Sequence, residues 1–147
     1  MIVIDCETTG LLSEKHSIIS VGAVEFEHPE RQFYMECQAW AGSLFDPVAL
    51  NHIGFTEAQC KDSSKPSARE LLLALKKWIS EAQEQTPAGH NCRFDVEFLY
   101  ASGARESVAF PFPFRMIDLH SIAYAHMLSH GVIIPLKDFV SALSLNK

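Results

Sequence analysis

The chain opens on Met1-Ile-Val-Ile-Asp5-Cys6-Glu7-Thr8-Thr9-Gly10, an apolar run that ends in two acids within three residues. This pattern restricts the fold, because ionisable groups beside a buried strand are costly unless they are paired or bound to a cation. Ile2, Val3 and Ile4 read as a short, fully buried central strand. Asp5 and Glu7 are two residues apart, so in an extended chain both carboxylates point to the same face. Thr8-Thr9-Gly10 ends the strand, and Gly10 permits a tight turn or close approach of a ligand to the backbone. A carboxylate pair so placed is expected to bind metal. The plainer alternative is a pair of solvated acids at a strand end.

The rest of the chain fits one compact α/β domain without a linker. With 147 residues, 48% hydrophobic and 20% charged, it can bury a sizeable core and is not of disordered composition. Its net charge of −6, from 12 Lys+Arg against 18 Asp+Glu, removes the broad attraction expected of a protein that coats duplex nucleic acid. A polyanionic substrate would need bridging cations or a local basic patch. Cys6, Cys37, Cys60 and Cys92 form no CxxC pair, so neither a zinc ribbon nor a redox motif is indicated, and buried free thiols are expected. No signal peptide and no apolar run of membrane-spanning length is found, so a reducing, cytoplasmic compartment and no membrane partner are expected.

Residues 17–27 alternate through Val21, Ala23, Val24 and Phe26, and residues 32–40 are aromatic and strand-like, which predicts a hairpin with its turn at His28-Pro29-Glu30-Arg31. Asp46 followed by Pro47 predicts a short helix over 47–53, and Thr56 with Glu57 starts another. Ser67-Ala68-Arg69-Glu70 has capping-box spacing. Leu71, Leu72, Leu75, Trp78 and Ile79 recur at helical intervals, so a helix is expected over 66–85 with its leucine stripe in the core.

A second group of chemical residues follows in Gly89-His90-Asn91-Cys92-Arg93-Phe94-Asp95. Residues 87–91 read as a strand passing into a helix whose first turns hold Asp95, with Phe98 and Leu99 inward and Gly103 as the stop. In an open α/β sheet, ligands bind outside the carboxyl ends of the strands, so Asp5, Glu7 and Asp95 are expected to converge there. For Asp95 alone, a helix-capping role is the alternative.

DxETTG at 5–10 and HNxxFDxxFL at 90–99 resemble motifs I and II of the DEDD exonucleases, 3′ to 5′ nucleases of the ribonuclease H-like superfamily, and residues 114–120 resemble the family's strand entering its next helix. The resemblance implies a ribonuclease H-like mixed sheet flanked by helices. It also implies two divalent ions, Mg²⁺ or Mn²⁺, about 3.5 to 4 Å apart. By carry-over, Asp5 would bridge both ions, Glu7 would bind the water-activating one, and Asp95 would support the second. Thr8 would contact the terminal nucleotide through its backbone, Leu11 would pack against the end bases, and Asn91 would join them in holding substrate. The implied partner is a single-stranded or frayed 3′ end, of DNA or RNA. Homodimerisation, common among free-standing relatives, is left open.

The chain departs from the family at motif III, a His followed by an Asp on a C-terminal helix. The last acid is Asp138, and Ile133 stands five residues before it. His130 precedes Asp138 by eight residues with Pro135 between, a spacing that does not set both on one helix face. The helix expected over 136–145 resembles the one before motif III, so residues 1–147 read as a single exonuclease domain, incomplete at the C-terminus and lacking that last helix. The alternative is a catalytically silent module on the same fold that binds nucleic acid or protein. His120 and His126 share a helix over 119–128 but are six apart, which is not the zinc-binding i, i+4 pair. Phe110-Pro111-Phe112-Pro113-Phe114 reads as a stiffened loop packed on the core, and Asp118 as a family residue that is not a metal ligand.

Overall fold

The computed structural model describes residues 1–113 and 115–131; Phe114, Asp138 and the helix expected over 136–145 lie outside the described residues. Strands β1 (Ile2–Thr8), β2 (Ile18–Glu25) and β3 (His28–Glu36) form an antiparallel meander. Strands β4 (Pro87–Gly89) and β5 (Ile117–Asp118) add to the other side of β1 in parallel, giving the order β3-β2-β1-β4-β5. This is the mixed sheet of a ribonuclease H-like α/β fold. Between β3 and β4 lie helices α1 (Pro47–Ile53), α2 (Glu57–Cys60) and α3 (Ala68–Ser80); α4 (Cys92–Glu106) and α5 (Leu119–Ser129) follow β4 and β5.

β1 is central, as expected, but not buried on both faces. Ile2, Ile4, Cys6 and Thr8 point into the core while Val3, Asp5 and Glu7 point out, and Val3 is 38% exposed. The inward row meets Leu71, Leu72, Leu75 and Ile79 of α3 and Val96, Phe98 and Leu99 of α4 in one cluster. Each large side chain there removes roughly 1.5 to 3 kcal/mol worth of apolar surface from water. A smaller cluster of Ile19, Leu50 and Cys60 seats α1 and α2. All four cysteines are free and buried.

Local capping signals set most helix starts. Asp46 accepts from the Val48 N–H at 2.8 Å, and Thr56 and Ser67 each close a capping box. α3 stops at Ser80, short of the expected end, because residues 83–85 are polar and the Thr86 carbonyl must accept from the Ile2 N–H at 2.9 Å. α4 runs past Gly103, which is a packing glycine and not a stop: a Cβ there would lie 2.4 Å from the Val108 carbonyl oxygen. Ser107, at φ 57°, ends the helix instead. The proline-stiffened loop does pack inward, with Phe112 buried and its carbonyl accepting from the Tyr100 hydroxyl. Among the described residues, no helix is long and apolar enough to cross a membrane.

The hairpin turn is displaced from its expected place. β2 and β3 are joined through Phe26 and Glu27, with Glu25 opposite His28, so Pro29 lies inside β3. β3 is an edge strand, where a missing N–H costs little. This register lets Arg31 cross to α3. Its guanidinium pairs with the buried Glu25 carboxylate at 2.6 Å, lies 4.5 Å over the Trp78 ring, and donates to the Trp78 carbonyl. Arg31→Ala leaves the Glu25 charge buried and unpaired, so it is expected to cost about 3 kcal/mol in urea denaturation at pH 7. Adding Glu25→Gln is expected to return part of that loss, and a loss below about 1 kcal/mol would show that the pair does not anchor the hairpin.

Candidate active site at the end of the central strand

β1 outruns its parallel neighbour. β4 pairs with it only at Ile2 with Pro87 and Val3 with Ala88, so the far half of β1 has no β4 residue beside it. Asp95, in the first turn of α4, fills that place: its Oδ1 accepts from the Cys6 N–H at 2.7 Å. Cys6 lies between Asp5 and Glu7, and the strand alternation sets those two acids on the outward face. The structure therefore brings Asp95 to the strand position between the two acids. Among the described residues, no three His, Cys, Asp or Glu side chains form a closed group around an ion position.

The electrostatics of Asp95 differ from those of a capping aspartate. Burial pushes its carboxyl up to about 6, and the nearby Asp5 carboxylate adds to the rise, while the Cys6 N–H opposes it. A solvated cap would be lowered by its hydrogen bonds instead, as Asp118 is by Ser121 and Asn91 against a smaller desolvation. Burial, then Asp95, raises the Cys6 thiol well above its ordinary range and takes Cys92 to about 11. Both thiols are neutral at ordinary pH, which leaves carboxylate oxygens as the donors, the set that suits hard cations.

The loop after β1 is held rigidly. The Thr8 hydroxyl donates to the Gly10 carbonyl at 2.8 Å, and the Thr9 hydroxyl donates to the Leu44 carbonyl at 2.7 Å while accepting from the Ser17 N–H at 2.9 Å. Gly10 lies under the His16 ring, where a Cβ would come within 2.3 Å of a ring carbon. Leu11 projects from this loop, 72% exposed. With Glu7, Thr8, Val48, His52 and Phe94 it lines a groove of about 400 Å³. Its α1 wall was not foreseen, since the only signal there was a surface helix start. A larger cavity of about 510 Å³ lies by Trp40, Phe45 and Lys61 and holds none of the three acids. Its ring faces are already used, by Arg105 at 4.3 Å over Trp40 and Lys61 at 4.8 Å over Phe45.

Asn91 stands at the start of α4 in the left-handed region, at φ 56°, with no capping hydrogen bond from its side chain. Its N–H donates to Asp118 Oδ1 at 2.9 Å, which ties the β4–α4 loop to the start of α5. Asp118 caps α5 by accepting from the Ser121 N–H and hydroxyl.

Comparison with known proteins places these features in a wider group. The exonuclease (RNase T) family pattern matches residues 2–128. Ribonuclease T from Hahella chejuensis (strain KCTC 2396) is 29% identical over 142 residues, covering 85% of this chain and 65% of that protein. A structure of exonuclease I superposes with a TM-score of 0.71 over 86% of this chain and 29% of its own, at 17% identity. E. coli exonuclease I in complex with a dT13 oligonucleotide gives 0.68 over 84% of this chain and 28% of its own, also at 17% identity. The structural likeness establishes the shared fold, and the chain spans just under two thirds of the ribonuclease T and less than a third of exonuclease I.

The raised Asp95 carboxyl has a thermodynamic consequence. The folded chain holds this proton more tightly than the unfolded chain, so its contribution is present below the ordinary carboxylate pKa and is lost as pH rises through about 6. Asp95→Asn keeps an oxygen acceptor for the Cys6 N–H and removes the charge. Without divalent ions it is expected to be as stable as the wild type at pH 7.5, or more stable by up to about 2 to 3 kcal/mol. Its stability should also vary less between pH 4 and 7 in urea titrations. An Asp95→Asn loss above about 1 kcal/mol at pH 7.5 would make Asp95 a structural cap.

Proposed function

The chain belongs to the exonuclease family, and from that premise we propose that it carries a 3′ to 5′ exonuclease domain with Asp5, Glu7 and Asp95 as its metal-binding acids. The observation that carries this reading is the buried Asp95 carboxylate, held on the Cys6 N–H and raised in pKa partly by Asp5. A site that concentrates negative charge in a desolvated place is poorly solvated by itself and suited to a divalent cation. Mg²⁺ or Mn²⁺ bound there would supply an activated water and a stabilised leaving oxygen. The chain's own part is to hold the acids in register on β1, to keep Asp95 in place from α4, and to release the Asp95 proton when the cation binds.

The groove beside Glu7 fits the terminal nucleotide. Leu11, Val48, His52 and Phe94 offer mainly apolar contact next to Glu7, which suits a nucleobase face and reads little sequence. Thr8 would meet the terminal nucleotide through its backbone, and Asn91 would meet the strand from the start of α4. A single-stranded or frayed 3′ end fits because unpaired bases must separate to enter such a groove, and the dT13 complex of exonuclease I supports a single-stranded substrate.

Mn²⁺ is expected to raise the melting temperature of the wild-type chain but not of Asp5→Ala. Release of mononucleotides from a single strand with a free 3′ hydroxyl is expected to depend on Mn²⁺. Loss of a ligand that holds several kcal/mol of transition-state charge stabilisation should slow it about 10²-fold or more in Asp5→Ala. Metal and strand binding without release would favour the silent module. Equal Mn²⁺ response in wild type and Asp5→Ala would remove the acids from the reaction.

A further inference from the structure

We infer that His90 and His120 form an imidazole pair beside the strand-end acids, in which His90 donates to a backbone phosphate of the bound strand and His120 positions it; the inference rests on the exonuclease reading above. β4 pairs with β1 at Ile2 with Pro87 and Val3 with Ala88 and ends at Gly89, so His90 leaves the sheet at the end of β1 that carries Asp5. His90 is exposed there, on the side from which a phosphate held next to Asp5 would be met. The two chains are kept close by Gly89, where a Cβ would lie 2.9 Å from the Ile4 carbonyl oxygen.

β5 brings the second ring to the same place. Gly89 is level with Asp118, so α5 begins beside His90, and the His120 ring meets the His90 ring edge-on at 5.6 Å and 71°. Asp118 fastens both backbones, accepting from the Asn91 N–H on one side and from Ser121 on the other. The pair is therefore preorganised by a locked loop on each side.

The burial and hydrogen bonding of His90 point to a ligand and not to the fold. Its ring is exposed although Cys92 and Asp95 nearby are buried, and its imidazole makes no hydrogen bond or ion pair to another described residue. A phosphodiester approaching Asp5 and Glu7 meets carboxylates, so donors at their edge decide how it is oriented. Several basic side chains are already committed elsewhere: Arg31 to Glu25, Lys65 to Glu36, Lys61 to Glu57. Among the described residues, Arg93, exposed in the first turn of α4, is a further donor near this region.

The test is a cycle between His90→Ala and a single neutral methylphosphonate at the 3′-terminal linkage of a dT10 strand, read as anisotropy binding in Ca²⁺ with Asp5→Ala alongside. His90→Ala is expected to weaken binding about five- to tenfold. The methylphosphonate should weaken wild type by a similar factor but His90→Ala by less than twofold. His120→Ala should give part of the loss and His120→Phe, which keeps a ring edge, should restore it. Urea midpoints of the His variants are expected to match the wild type. Losses that multiply independently, with Ca²⁺ dependence present in wild type and absent in Asp5→Ala, would overturn the imidazole contact and leave the acid site standing. Binding with no Ca²⁺ dependence in either protein would overturn the acid site and this proposal with it.

Discussion

The hydrogen bond from the Cys6 amide to Asp95 is the constraint on which the site depends. It joins the middle of the central strand to the first turn of α4 across 89 residues of sequence, in a buried place where a charge-assisted bond is worth about 1.5 to 3 kcal/mol. It forms because β4 is only three residues long. A longer β4 would take the free edge of β1 with its own carbonyls, and α4 would begin too far away for Asp95 to reach. The brevity of one strand thus turns an edge amide into the seat of a third carboxylate.

That seat has an electrostatic cost, because Asp95 is desolvated and within the influence of Asp5. Among the described residues, no cation pairs with it. Arg31, Lys61, Lys65, Arg69 and Arg105 meet acids, carbonyls or ring faces elsewhere in the fold. The buried Glu25 shows the contrast: it is equally deep, but it has Arg31 at 2.6 Å. One buried acid is paired with a cation inside the fold, and the other has no cationic partner among the described residues.

Much of this was legible in the sequence wherever the physics is local. Capping boxes at Thr56 and Ser67 and the Asp46-Pro47 start act within one helical turn, so α1, α2 and the beginning of α3 were readable. The outward pairing of Asp5 and Glu7 follows from strand alternation alone. The misread features depend on distant partners. Pro29 looked like a turn because its place on a sheet edge is a property of the whole strand order. Gly103 looked like a helix stop because the Val108 carbonyl that crowds it arrives from beyond the helix. The α1 wall of the groove and the meeting of His90 with His120 arise from packing between separate elements, for which spacing carries no signal.

The two faces of β1 divide the labour of the domain. Ile2, Ile4, Cys6 and Thr8 are locked into the core, so the backbone that carries Asp5 and Glu7 is as rigid as the core itself. The outward side chains then add little to the packing and are free to be chosen for charge. Asp95 is the exception, since it reaches the strand from the core side and is both a structural acceptor and an ionisable neighbour of Asp5. A carboxylate with both duties couples folding to its own charge: when it ionises, the domain loses stability. The same acid that is costly to ionise holds the first turn of α4 against the central strand.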